Sequence, residues 1–118
     1  MTALEGIRVL DFTRVLAGPY CTLVLGDLGA EIVKIENPQG GDDTRGFNIS
    51  PTLNFSTYFL AVNRNKKSVA IDIRTIEGRD AIHAMAANAD VVIENYRSGV
   101  MERYGIGYDD LARVNSQL

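Results

Sequence analysis

Residues 7–20 read IRVLDFTRVLAGPY and decide the fold class of this chain. The apolar, β-branched run that starts at Ile7 predicts a buried strand, which the polar residues from Asp11 onward end. The small tripeptide AGP follows, directly before a helix predicted over residues 20–28. This order places a turn at the carboxyl end of a buried strand, where α/β proteins usually bind their ligands. With a single glycine, the turn lacks the G-x-G-x-x-G pattern of dinucleotide-binding proteins.

Four apolar runs rich in valine and isoleucine predict the buried strands of a parallel sheet. Helical patterns at residues 20–28 and 75–88 connect strands, and such strand–helix–strand units imply right-handed crossovers. The predicted fold class is therefore α/β, a parallel sheet with flanking helices. The four strands are predicted at residues 7–12, 31–36, 68–73 and 90–94, and shorter helices at residues 58–62, 100–104 and 108–114.

Residues 37–57 differ from the rest of the chain, because they hold Pro38, Pro51 and two adjacent glycines without a clear period. They predict a long loop, and a loop of this length in a compact domain is usually functional or disordered. The acidic pair Asp42 and Asp43 within it could form a turn or a pair of ligands, and a turn is the preferred interpretation.

The composition argues against several classes of function. A chain of 118 residues with 46% hydrophobic and 23% charged residues is long enough for one globular domain. Its net charge of −3 disfavours a nucleic-acid partner. No apolar stretch approaches the ~20 residues that cross a membrane, so no membrane association is expected. No His/Cys cluster has the spacing of a metal site, so none is predicted.

Cys21 is the single cysteine of the chain and cannot form an internal disulfide. Its position beside Leu23 and Val24 in a predicted helix favours a small buried residue. A lone cysteine without a visible secretory segment fits a reducing compartment, and we expect a cytoplasmic protein.

A polar rim is predicted where the four parallel strands end, since parallel strands deliver their carboxyl ends to one edge of the sheet. Arginine and amide side chains at such an edge suit a phosphate-bearing ligand. Tyr96 and Leu16 could flank a flat base or an aliphatic arm. The residues predicted at this rim are Thr13, Arg14, Asn37, Arg74, Asn95, Tyr96 and Arg97, with residues 63–67 and Arg103 close by.

Less specific interpretations stay open for several of these residues. Lys66 and Lys67 could be a solvated pair before a strand, and Arg74 an ordinary surface residue. His83, between apolar positions of a predicted helix, is interpreted as a surface or boundary residue rather than a catalytic one.

Seven segments of the chain together resemble the family III coenzyme A transferases, the CaiB/BaiF group. The resemblance runs over nearly the whole chain, in order and without large gaps. Each segment alone is weak evidence for the family, but the ordered series of seven is highly specific. The segments are residues 4–11, 17–19, 28–36, 41–46, 63–68, 90–96 and 99–103.

The resemblance implies a Rossmann-like large domain, of which residues 1–118 would be the amino-terminal part, with the second domain absent. It implies that coenzyme A is moved from an acyl-CoA to a carboxylic acid through an aspartyl thioester. Coenzyme A is then a substrate, not a permanently bound cofactor, and the partners are an acyl-CoA, a carboxylic acid and a second subunit of an interlocked homodimer. The aspartate of this family lies beyond Leu118, so no catalytic residue is assigned and the chain alone is expected to be inactive.

The same resemblance assigns coenzyme A contacts position by position. Two departures matter: Asn37 stands where some members carry an arginine that holds the nucleotide, and Leu16 where formyl-CoA transferases carry a glutamine. An oxalate or formate substrate is therefore disfavoured. The implied contacts are Val15, Leu16, Ala17, Asn37, Ile71, Arg74, Asn95, Tyr96 and Arg103.

Two other functions stay open at this point. An α-methylacyl-CoA racemase belongs to the same superfamily and would use a downstream His and Asp. A non-enzymatic module would only bind a nucleotide or associate with another chain, through an apolar face left uncovered.

Overall fold

The computed structural model describes residues 1–118 as a four-stranded parallel sheet with helices on both faces. The strands stand in the order β3-β2-β1-β4, and every neighbouring pair is parallel. The predicted α/β class with a Rossmann-like parallel sheet is thus confirmed. The strands are β1 (Arg8–Asp11), β2 (Glu31–Glu36), β3 (Lys66–Ala70) and β4 (Val91–Ile93).

Five α-helices connect and flank the strands, and their ends follow local side-chain chemistry. Thr75 accepts a hydrogen bond from Gly78 N and caps the start of the third helix, as predicted. Ser56 accepts one from Phe59 N and caps the start of the second. Gly29 has a φ of +107° and ends the first. The helices are α1 (Ala17–Asp27), α2 (Thr57–Asn63), α3 (Ile76–Ala86), α4 (Val100–Arg103) and α5 (Tyr108–Val114).

The core has two parts because successive strand residues point to opposite faces of the sheet. Leu10 and Phe12 face one side, where they pack in a cluster with Ile82 of α3. Val9 and Ile32 face the other side, where Leu25 of α1 covers them. Both faces are therefore covered by helices, and the strand ends are left as the open edge of the sheet.

The predicted position of β3 was wrong by a few residues. The strand covers Lys66–Ala70 rather than residues 68–73, because Lys66 already pairs with Ile32 of β2 and its side chain is buried. Lys66 therefore begins β3 at the amino-terminal edge of the sheet. The expectation that residues 63–67 lie at the polar rim was also wrong, since the rim is at the opposite edge.

Two further differences concern the first helix and the long loop. Cys21 is exposed, not buried, because α1 turns Pro19, Thr22 and Leu23 toward the sheet. The helix is apolar nearly all round, so its sequence does not indicate which face is buried. The loop over residues 37–57 holds a 3₁₀ helix at Asp43–Gly46 and an isolated bridge between Ile49 and Ser56, so it is partly ordered.

None of the helices combines the length and the apolar character that crossing a membrane requires. No group of three or more His, Cys, Asp or Glu side chains is placed to hold a metal ion. His83 is half-buried, and its Nε2 lies 2.7 Å from the carbonyl oxygen of Gly105, which suits the predicted boundary position.

Candidate functional site

A cavity of about 550 Å³ lies at the carboxyl-terminal edge of the sheet. Every strand of the sheet contributes to it through the residues that end the strand or follow it. All seven residues predicted at the polar rim line this cavity, so the prediction from strand order is confirmed. They are Thr13, Arg14, Asn37, Arg74, Asn95, Tyr96 and Arg97, and Ile71 lines it as well.

Four residues that the family resemblance implies as contacts do not line the cavity. Val15, Leu16 and Ala17 follow Arg14 on its outer side and are exposed. Arg103 is exposed on α4, although Val100 and Tyr104 on either side of it do line the cavity.

The inner wall of the cavity holds a buried ion pair. Lys34, in the middle of β2, is 1% exposed, and its Nζ lies 2.9 Å from Asp42 Oδ2 and donates to the Thr13 carbonyl at 2.7 Å. Asp42 Oδ2 accepts no other hydrogen bond, while Oδ1 accepts from the backbone and hydroxyl of Thr44. Burial raises the pKa of Asp42. The Thr44 hydrogen bonds and Lys34 lower it by more, so that the pKa lies below its usual value. The carboxylate is thus held ionised against Lys34.

Sequence reasoning missed this pair. Asp42 does cap a 3₁₀ turn, as interpreted, but its second oxygen reaches across to β2. The signal that could have found it is Lys34, a cation in the centre of the otherwise apolar strand EIVKIE. A buried lysine requires an acidic partner, and the loop that follows β2 offers Asp42 and Asp43.

A second buried carboxylate ties the long loop to the sheet. Glu36 ends β2, and its two oxygens accept hydrogen bonds from Arg45 at 2.7 and 2.8 Å. Ser68 Oγ and Asp42 N also donate to it. Burial raises the pKa of Glu36, but these donors, Arg45 first, lower it to about 2. The Arg45 guanidinium also stacks on the ring of Phe59 at 3.9 Å, which joins the loop to α2.

Acid should weaken the fold through Glu36. Its pKa is about 2 when folded and 4.5 as the ordinary value, so its contribution is full above pH 4.5 and is lost as the pH falls toward 2. The shift corresponds to about 3 kcal/mol. Urea unfolding measures the unfolding free energy between pH 4.5 and pH 2. As the pH falls, this free energy should decrease less for E36Q than for the parent chain.

Glu31, whose side chain is 35% exposed, is the matched control for this experiment. Hydrogen bonds from Lys67 and Arg8 lower its pKa to about 2 as well, but the group is in solvent, which screens such interactions. E31Q should therefore change the acid dependence far less. Equal slopes for E36Q and the parent chain would refute the assignment.

A third buried network supports the end of β1, behind the cavity. Asp11 is fully buried, and its Oδ2 accepts hydrogen bonds from Thr22 Oγ1 at 2.6 Å and Lys66 Nζ at 3.1 Å. Lys66 Nζ also donates to Asn63 Oδ1 and to the Pro19 carbonyl. Burial lowers the pKa of Lys66, although Asp11 opposes this shift. The network joins β1, α1, α2 and β3 at one point.

The cations at the mouth of the cavity are not equivalent. Arg14 lies 3.5 Å from Asp43 and packs over the ring of Tyr96 at 5.3 Å, and Arg74 is held by both oxygens of Asp72. Arg97 makes neither an ion pair nor a side-chain hydrogen bond. It is the guanidinium in the lining that is free to receive an anion.

The carboxylates of the cavity are all engaged with basic side chains. Glu36 is bound by Arg45, Asp42 by Lys34, and Asp72 by Arg74. The cavity therefore holds no unpaired carboxylate that could attack a ligand.

A parallel sheet with helices on both faces and a polar cavity at the carboxyl ends of its strands defines an α/β domain of the Rossmann type. The model of CoA-transferase family III matches residues 4–118, and the chain belongs to this family.

Three relatives illustrate the match. The chain is 50% identical to succinyl-CoA:glutarate CoA-transferase of Mus musculus over 97% of its own length and 26% of that protein. It is 44% identical to succinyl-CoA:mesaconate CoA-transferase of Haloarcula hispanica, over 100% of the chain and 31% of that protein. A solved CaiB/BaiF family protein from Brucella suis superposes with a TM-score of 0.88 at 42% identity, over 97% of the chain and 31% of the other. The chain thus spans about a quarter to a third of the length of these relatives.

Proposed function

We propose that residues 1–118 form the coenzyme A-binding part of a CoA-transferase, with coenzyme A entering as a substrate and not as a resident cofactor. The observation that carries the proposal is the strand-end cavity, which combines the free guanidinium of Arg97 with apolar and aromatic walls from Ile71 and Tyr96. A nucleotide with phosphates needs both kinds of surface. Membership of CoA-transferase family III supports coenzyme A over other nucleotides.

The cavity divides into two regions with different chemistry. Ile71 and the half-buried Tyr96 offer an apolar surface for an adenine ring, while Arg97 and Arg74 stand at the mouth for phosphate groups. Val15, Leu16 and Ala17 lie outside the cavity, so we assign them to the extended arm of the ligand. Arg103 lies between the lining residues Val100 and Tyr104, and we assign it to the adenine and phosphate part. The full set of proposed contacts is Val15, Leu16, Ala17, Asn37, Ile71, Arg74, Asn95, Tyr96, Arg97 and Arg103.

The reaction that we propose for the whole protein is transfer of coenzyme A from an acyl-CoA to a carboxylic acid. Relatives named as acting on glutarate and mesaconate support a transferase over a racemase. Since every carboxylate of the cavity is ion-paired, we propose that residues 1–118 hold coenzyme A and that the nucleophile comes from elsewhere. The segment alone should therefore bind coenzyme A without transferring it.

We also propose that the protein acts as a homodimer in the cytoplasm. A stripe of exposed apolar residues on α1, formed by Leu16, Tyr20, Val24 and Leu28 at every fourth position, supports association. The free, exposed Cys21 supports a reducing compartment. Light scattering after size exclusion tests the dimer, and a monomer at all concentrations would refute association of this segment.

Coenzyme A binding should depend on Arg97. Isothermal calorimetry should detect coenzyme A binding to the parent chain. The affinity of R97A should be lower by about tenfold or more, because a charged hydrogen bond to phosphate is removed. The difference should shrink as salt is raised, since salt screens the phosphate–guanidinium attraction.

The control for this experiment is R64A. Arg64 is a similarly exposed arginine that pairs with Asp27 on the outside of α1 and α2, away from the cavity. It should leave the affinity within about twofold, as its charge is screened at that distance. Equal losses in R64A and R97A would indicate a general charge effect and refute the site.

A further inference from the structure

The side chain of Asn95, just after β4, holds the backbone of Arg14, a residue that follows β1. Its Oδ1 accepts a hydrogen bond from Arg14 N at 2.9 Å, and its Nδ2 donates to Arg14 O at 2.8 Å. The amide thus extends the β1–β4 pairing beyond the last backbone bond, which Phe12 N donates to Ile93 O. Asn95 fixes one end of the turn between β1 and α1, residues 14–17.

This turn contains a strained residue. Val15 has a φ of +71°, in the left-handed region that β-branched residues rarely occupy. Such conformations persist only where the surroundings determine them, and they cluster at functional sites. Val15 N itself donates one hydrogen bond, to Asp42 Oδ1, and this bond is long at 3.4 Å. The Asn95 amide is therefore the stronger restraint on the turn.

Asparagine is suited to this role because it presents one donor and one acceptor side by side. Aspartate has the same shape but no donor, so its carboxylate would face the carbonyl oxygen of Arg14. Both polar atoms of the Asn95 amide, Oδ1 and Nδ2, are hydrogen-bonded to the backbone of Arg14. The main role of the side chain is therefore to hold the turn and not to bond the ligand.

We propose that Asn95 is a positioning residue, which holds the turn at residues 14–17 in its strained conformation so that the turn can bind coenzyme A. This inference rests on the proposed function. Asn95 then contributes to affinity through the backbone of the turn, in addition to the contact that is proposed above for the residue itself.

The test compares N95D with N37D. Both variants add one negative charge to the same cavity, and Asn37 makes only a local hydrogen bond, from Gln39 N to its Oδ1, which aspartate keeps. Because Asn37 is itself a proposed contact, N37D reports the added charge and the loss of one direct contact, without opening of the turn. Trypsin cleavage of the Arg14–Val15 bond reports opening of the turn, and calorimetry reports coenzyme A affinity. N95D should be cleaved about tenfold faster at this bond and bind about tenfold more weakly than N37D.

A second variant separates positioning from general destabilisation. Asparagine tolerates the left-handed conformation better than valine does. V15N should therefore lower the strain at this position, so that the turn depends less on the Asn95 amide. The double variant N95D/V15N should regain most of the protection from trypsin, whereas a generally destabilised chain would not. The unfolding midpoint of N95D in urea should remain close to that of N37D.

Each outcome decides the proposal. Equal cleavage and equal affinity for N95D and N37D would overturn it, and so would an open turn in N95D with the affinity of N37D. If the parent chain does not bind coenzyme A while N95D still opens the turn, the proposed function fails and the restraint by Asn95 stands.

Discussion

The D11A variant is expected to lose about 3–5 kcal/mol of unfolding free energy, because it leaves the ammonium of Lys66 buried without its counter-ion. Small domains are stable by only about 5–15 kcal/mol, so this loss removes a large fraction of the stability of the chain. Asp11 is fully buried, and the Lys66 side chain is 2% exposed, so solvent cannot replace the lost charge. Urea unfolding followed by circular dichroism measures the loss.

The matched control is D27A. The ion pair of Asp27 with Arg64 is exposed, with 42% and 58% of the two side chains in solvent. Its removal should cost at most about 1 kcal/mol. If D11A and D27A unfold at the same urea concentration, the Asp11–Lys66 pair does not stabilise the fold as described.

The D42A variant is expected to be nearly as damaging, with a loss of about 3–5 kcal/mol. It leaves Lys34 buried and unpaired at the inner wall of the cavity, and it removes the hydrogen bonds that Thr44 donates. Because this wall belongs to the proposed coenzyme A site, the variant should lose ligand binding together with stability.

The neighbouring acid offers a close control. Asp43 pairs with Arg14 at 3.5 Å, and both side chains are about half exposed. D43A should change stability by less than about 1 kcal/mol. Comparable losses in D42A and D43A would contradict the assignment of Asp42 as the buried partner of Lys34.

The order of the fold could be predicted from the sequence because three of the strands are dense in valine and isoleucine. β3 was misplaced because it reads KKSVA, with Val69 as its only large apolar residue. It is an edge strand with largely exposed residues, and its register depends on the burial of Lys66. Burial of a lysine is decided by a partner on another strand, which the local sequence pattern does not contain.

The rim of the cavity could be predicted because it follows from strand direction alone. Its internal ion pairs could not, since Lys34–Asp42 and Glu36–Arg45 join a strand to a loop without a periodic signal. The role of Asn95 was missed for the same reason: its partner Arg14 is 81 positions away. The family was predicted from short ordered segments and is confirmed over residues 4–118, while the individual coenzyme A contacts stay predictions.

The most direct test of the proposed site is a map of backbone amide chemical shifts while coenzyme A is added to the chain. The proposed function predicts saturable changes confined to the carboxyl edge of the sheet, at residues 13–17, 71–74 and 95–97. The opposite edge, around Ala30 and Asn65, serves as the internal control because it forms a separate, smaller pocket. An absence of saturable changes, or changes centred on the opposite edge, would contradict the proposal.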